Sequence, residues 1–248
     1  VKILVCISSV PDTTSKINFT ADKSAFDKNG IQWVINPLDE FALTKAIKLQ
    51  ESQGATVTVL NVGDAGTEAV IRKALAIGAN DAVRVNAEAK DSFSVAKEIA
   101  KVAQDGGYDL ILTGKESIDY NGGAVPGMVA QLLNIPFVNA SVGLDVNGSE
   151  ATVVREIEGG KETISVKLPA VVAGQKGLVD EKDLIIPNMR GIMSARTKPL
   201  QVVEPSNSEV KVEAVSFDSV APRAAVKLVS ADNLDELVRL LHEEAKVI

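Results

Sequence analysis

Cysteine, histidine and aromatic residues are scarce: the 248-residue chain holds one Cys, one His and 4% aromatics. A lone cysteine, Cys6, excludes an internal disulfide and suits a reducing compartment. With His242 the single histidine and far from Cys6 in sequence, neither a His/Cys metal cluster nor a Cys–His catalytic pair is expected. Basic residues are also in deficit. Against 33 Asp and Glu stand 26 Lys and Arg, a net charge of −7, which argues against nucleic acid or an anionic membrane as partner. No apolar run approaches the roughly 18 residues of a membrane span, so no membrane insertion is predicted. Val1–Ile7 is too short and too strand-like for a signal peptide. These shortages together predict a cytoplasmic protein.

What is abundant is Val, Ile, Leu and Ala, within an apolar content of 46%. Such a core suits a buried parallel sheet covered by helices. The first half alternates strand and helix signals. Strands are predicted at Lys2–Ser8, Thr56–Val62, Ala82–Val85 and Tyr108–Leu112. Helices are predicted after Asn36-Pro37, after Thr67, after Ser92 and over Val125–Leu133, with Asn36, Thr67 and Ser92 as caps. Beyond residue ~138 the pattern turns to β. Asn147-Gly148 marks a hairpin, Glu158-Gly159-Gly160-Lys161 a second turn, and Pro169–Ala173 a closing strand. Residues 174–205 read mostly as loop with a short helix near Met189–Ala195, and an amphipathic helix ends the chain around Leu234, Leu237, Val238 and Leu241. The predicted class is α/β: an open, mainly parallel, Rossmann-like sheet flanked by helices, spanning residues 1–204. A β-hairpin extension covers 138–173. Residues 205–248 form a C-terminal arm and helix, of which the stretch from Pro205 to Ser230 is too poor in core signal to bury itself and should lie along something else.

Function is sought where open α/β sheets bind ligands, at the carboxyl ends of the strands. Three loops meet there: Cys6 to Pro11, Val62 to Gly66, and Gly114 to Val125, with Asn36, Pro37, Leu38 and Asp39 closing the rim. The third loop runs from a buried strand through Asp119, Asn121, Gly122, Gly123 and Ala124 into a helix starting at Val125. Free amides and a positive dipole end then coincide, the chemistry of a phosphate cradle. Neither a Walker motif nor G-x-G-x-x-G is present, so by pattern the loop reads equally as a tight turn. Asp119 or Asn121 either bonds a ribose or orders the loop; Gly63 and Gly122-Gly123 either admit a ligand or serve the turn. Cys6 reads as a packed core thiol and His242 as a surface residue. Glu156, Glu158 and Glu162 read as a solvated hairpin face. Arg190, Arg196 and Lys198 form a mild basic patch, for a phosphate or for solubility, and Leu178 is either a surface anchor or a tucked loop residue.

Several stretches together resemble the β subunit of electron transfer flavoprotein (ETF). They are Val153–Ile164 followed by Pro169–Ala173, Asn36–Glu40, Lys73–Ala79, Gly114–Asp119 and Gly191–Ala195. The resemblance implies a heterodimer with an ETF α subunit that holds the redox FAD, while this chain binds AMP and has no catalytic residues of its own. Adenine and ribose would lie near Cys6, Asn36–Asp39 and Val62-Gly63, and the phosphate on amides of Gly122 to Val125. The implied donors are acyl-CoA or other dehydrogenases, docked through a recognition loop at 174–190 with Leu178 as anchor. The implied acceptor is ETF-quinone oxidoreductase, and the arm would wrap the α subunit. Two alternatives are a bifurcating, NADH-linked β subunit carrying a second FAD and a stand-alone nucleotide-binding stress-type module.

Overall fold

A computed structural model of the chain describes residues 1–206, 209–223 and 225–248; positions 207, 208 and 224, within the expected arm, lie outside the described residues. In chain order the elements are β1 (Lys2–Cys6), β2 (Ser9–Pro11), β3 (Trp33–Ile35), α1 (Pro37–Gln53), β4 (Thr56–Val62), α2 (Glu68–Ile77), β5 (Asp81–Val85) and α3 (Ser92–Gly106). There follow β6 (Leu110–Gly114), α4 (Val125–Leu133), β7 (Phe137–Asn147), β8 (Glu150–Ile157), β9 (Gly160–Lys167), β10 (Ala170–Gly174), α5 (Met189–Ala195), β11 (Leu200–Val203) and α6 (Leu234–Arg239).

Among the described residues nine strands form one sheet in the order β11-β5-β4-β1-β6-β10-β7-β8-β9, and β2 pairs with β3 apart from it. From β11 to β7 every pairing is parallel, and only β7-β8 and β8-β9 are antiparallel. The sheet is therefore mainly parallel, open and helix-covered. At its centre Val5 lies in register with Val59 and Leu112, all buried. Alternation sorts the strand side chains between two cores. Ile3, Val5, Val57 and Val59 pack with Leu43, Ile47, Ile71 and Leu75 of α1 and α2. Leu4, Cys6, Leu60 and Ile111 pack with Ala96 and Ile99 of α3 and Val129 of α4. Each such aliphatic side chain contributes about 1.5–3 kcal/mol on burial.

The helix limits follow local chemistry, sometimes displaced from the sequence reading. α1 begins with Pro37 in its first turn and ends at Gly54 in the left-handed conformation, φ 68°. Asn36 precedes it but makes no side-chain cap, because its amide is used elsewhere. The cap of α3 is Asp91, whose carboxylate accepts from Ser94 N, so Ser92 is already helical. Thr67 makes no side-chain cap for α2; Asp64, one turn earlier, accepts from Gly66 N. Two features lay outside the sequence reading, the β2-β3 pair and β11. β11 runs parallel to β5 at the sheet edge, with Leu200 opposite Ala82 and Val203 opposite Val85.

Contacts divide the chain into two units, 1–17 with 28–215 and 18–27 with 216–248. In the second, Phe19 stacks on Phe217 at 5.3 Å and Phe217 N donates to Lys23 O. Its terminal helix α6 widens into a π turn at Leu240–Ala245.

Candidate functional site

The carboxyl ends of β1 and β6 are adjacent, and their following helices leave toward opposite cores: α1 into the core of α1 and α2, α4 into that of α3 and α4. This is a topological switch point, where a crevice opens above the strands. Asp39, in the first turn of α1, bridges it. One carboxylate oxygen accepts from Ser8 N and the other from Gly114 N, both at 2.7 Å. Burial pushes its carboxyl up to about 7, against the lowering pull of those amides. Gly114 is constrained by the same contact, since a Cβ there would sit 2.5 Å from Asp39 Oδ1. Asp39 and Gly114 are thus spent on each other.

Asn36, fully inside, ties α1 to the next loop: its amide donates to Glu116 O at 2.9 Å and its oxygen accepts from Ile118 N at 3.3 Å. That loop closes on itself through Ser117 N donating to Gly122 O. Asp119 accepts from the Ser117 hydroxyl and from Tyr120 N, and Asn121 takes the left-handed turn position at φ 49°. α4 then begins at Val125, with Pro126 in its first turn. Among the described residues, no hydrogen bond engages the amides of Gly123, Ala124 and Val125. These groups, with the helix dipole behind them, fit an anionic phosphate.

The expected residues thus fall into three groups. Gly122, Gly123, Ala124 and Val125 present backbone to the crevice rim. Asn36, Asp39, Gly114, Asp119 and Asn121 shape that rim. Cys6 turns its thiol into the α3-α4 core, where burial holds it protonated well above the ordinary thiol range. Pro37 and Leu38 are half-buried at the mouth of α1, and Val62-Gly63 ends β4 on the opposite flank. A separate opening of about 480 Å³ adjoins Leu38, lined by Lys115, Glu116, Glu156, Gln175 and Lys176. The β10-β6 pairing sets Gln175 and Lys176 beside Lys115 and Glu116, and Glu156 of β8 joins them by accepting from the Gln175 amide.

Two readings are corrected. Leu178, expected as a docking anchor, is 5% exposed and packs in the core, with its Cδ2 only 2.5 Å from where a Gly174 Cβ would stand. An apolar residue among polar neighbours has been tucked inward, the cheapest outcome for its surface. In the stretch 174–190 the exposed apolar side chains are Ile186 at 84% and Met189 at 74%. Lys198, read as part of a basic patch, donates to Leu75 O at 2.9 Å and to Ala79 O, around the carboxyl end of α2. A cation at that dipole end is structural.

The family profile described as Electron transfer flavoprotein domain matches residues 24–208. Among curated relatives, the electron transfer flavoprotein subunit beta of Bacillus subtilis is 35% identical, with 99% of each chain covered. The mitochondrial subunit of Oryza sativa subsp. japonica is 33% identical over the whole of both chains. The Homo sapiens subunit is 30% identical over 99% of this chain and 98% of its own. The chain belongs to the electron transfer flavoprotein β-subunit family. Membership makes it a component of flavin-linked electron transfer and implies a partner ETF subunit. No helix among the described residues is long and apolar enough to cross a membrane.

Proposed function

We propose that this chain is the β subunit of a heterodimeric ETF and that the switch-point crevice holds AMP. The observation that carries the AMP assignment is the row of unengaged amides at Gly123–Val125 opening α4, opposite a rim fixed by Asn36 and Asp39. In this reading the phosphate rests on those amides, with the adenosine running toward Val62-Gly63. The FAD held mainly by the α subunit supplies the redox chemistry. This chain supplies no reacting group. Its residues hold the nucleotide, buttress the partner, and orient the complex toward acyl-CoA or other dehydrogenases on one side and ETF-quinone oxidoreductase on the other. Ile186 and Met189, in place of the buried Leu178, are the apolar side chains that the stretch 174–190 offers a dehydrogenase.

Native mass spectrometry of the complex purified with its α subunit tests the assignment. One FAD and one AMP per heterodimer is the expected composition, and added AMP raises the melting temperature of a stripped sample by mass action. Two flavins would transfer the crevice to a second FAD. No adenine nucleotide and no thermal response would refute the site.

A further inference from the structure

The chain leaves β11 at the carboxyl edge of the sheet, where Asn86 N donates to Val203 O at 2.9 Å. Because β11 and β5 run parallel, α3 starts from that same edge. Beyond Val203 the described residues up to Val215 hold neither helix nor strand, yet α3 grips them twice. Glu98, in the second turn of α3 and only 4% exposed, takes Ser206 N on its two oxygens at 2.9 and 3.0 Å. The Ser206 hydroxyl donates to the same carboxylate at 2.6 Å. Asp91, the cap of α3, spends one oxygen on Ser94 N and receives Lys211 N at 2.7 Å and Val212 N at 3.1 Å on the other. Lys211 Nζ also stands 5.8 Å from the centroid of the Phe93 ring, within cation–π reach.

At a rise of about 1.5 Å per residue, positions 91 and 98 lie about 10 Å apart along α3. The arm is therefore led down the helix at Ser206 and brought back to its N-terminus at Lys211, on the edge where the crevice opens. The two grips differ in character. A carboxylate taken out of water loses hydration that its hydrogen bonds offset only in part. When Ser206 lifts away from Glu98, water takes the place of its donors and the charge is not stranded. Closed and open forms thus lie close in energy. Asp91 keeps Ser94 N and the positive end of α3 in either form.

We infer that Glu98 and Asp91 of α3 form a releasable clasp that turns the arm back to the carboxyl edge and holds its root in place for the partner subunit. Val210, Val212 and Val215, all exposed, are presented at and just beyond the clasp. Only the part played toward the partner rests on the heterodimer reading above; the clasp itself is built from contacts within this chain.

Hydrogen exchange of the complex with its partner subunit, read over residues 204–215, tests the clasp. Glu98→Gln keeps the size of the side chain and removes its charge. It is expected to speed exchange there about tenfold while leaving β4 and β6 as slow as in the wild type. Should Glu98→Gln fail to fold, Ser206→Ala serves instead: it lies on the exposed arm, removes only the hydroxyl donor, and shifts exchange in the same direction by less. The heterodimer of either variant separates several-fold faster than the wild type, measured by exchange with a labelled partner subunit. Equal exchange over 204–215 in the wild type and both variants would overturn the clasp. Faster exchange with an unchanged separation rate would overturn its hold on the partner. If the wild type forms no heterodimer, the β-subunit reading falls, and hydrogen exchange of the full chain alone still decides the clasp.

Discussion

Asp39 shows how one side chain sets the width of the crevice, since its two oxygens hold the ends of β1 and β6 at a fixed separation. It also leaves a mark on pH dependence. The folded carboxyl keeps its proton up to about 7, whereas the ordinary value is 3.8. Between those values the folded state binds more protons than the unfolded one, so this group's contribution to stability grows as pH falls from 7 toward 4. Asp39→Asn removes that dependence and sets an amide N–H against a backbone N–H, at a cost of about 1–3 kcal/mol. Chemical denaturation at pH 5 and pH 8 checks both expectations; an unchanged pH slope in the variant would show that Asp39 is not the titrating group. Gly63 gives a second residue-scale test. A methyl there collides with Asn61 and Thr67, and Gly63→Ala is expected to lower stability by about 1–3 kcal/mol, read from the denaturation midpoint.

At the scale of elements, the stretch 174–190 separates packing from recognition. Leu178→Ala is expected to cost about 2–5 kcal/mol, as for other buried leucines, and so reports on the fold and not on docking. Ile186→Ala leaves the melting temperature alone and slows electron delivery from a dehydrogenase, measured by stopped-flow flavin reduction; equal rates in the variant and the wild type would remove Ile186 from the docking face. Most elements were legible in the sequence because periodicity and breakers coincide. β4 alternates Thr with Val between Gly54 and Gly63, β6 opens as the apolar run Leu110–Leu112 after Gly107, and Asn147-Gly148 sits at the β7-β8 turn as expected. What escaped was tertiary. Leu200–Val203 has no strand signal strong enough to stand alone and becomes β11 because β5 offers it an edge. The site was half legible: the Gly-rich loop into α4 could be read directly. The opening lined by Lys115, Gln175 and Lys176 could not, because nothing in a linear sequence shows that β10 falls in register with β6.

For the whole molecule, the described part of the arm displays its apolar residues. Val212, Val215, Val220, Val226 and Leu228 are all exposed, in a segment with neither helix nor strand. Lys211 N and Val212 N are held by Asp91 and Phe217 N by Lys23 O, the exposed side chains pack on nothing in this chain, and the proposed role of wrapping a partner gives them a surface. Hydrogen exchange across 210–228 is expected to slow several-fold when the α subunit is added; identical exchange with and without it would place the interface elsewhere.

The late arrival of β11 has a consequence for biosynthesis. Until residue 203 has left the ribosome, the outer margin of β5 carries backbone donors and acceptors with nothing to meet them. A nascent chain released earlier therefore keeps a sticky border, of the kind through which strands from separate chains join. Truncations ending shortly before Leu200 should accumulate as aggregates, whereas those ending just after Val203 should remain dispersed.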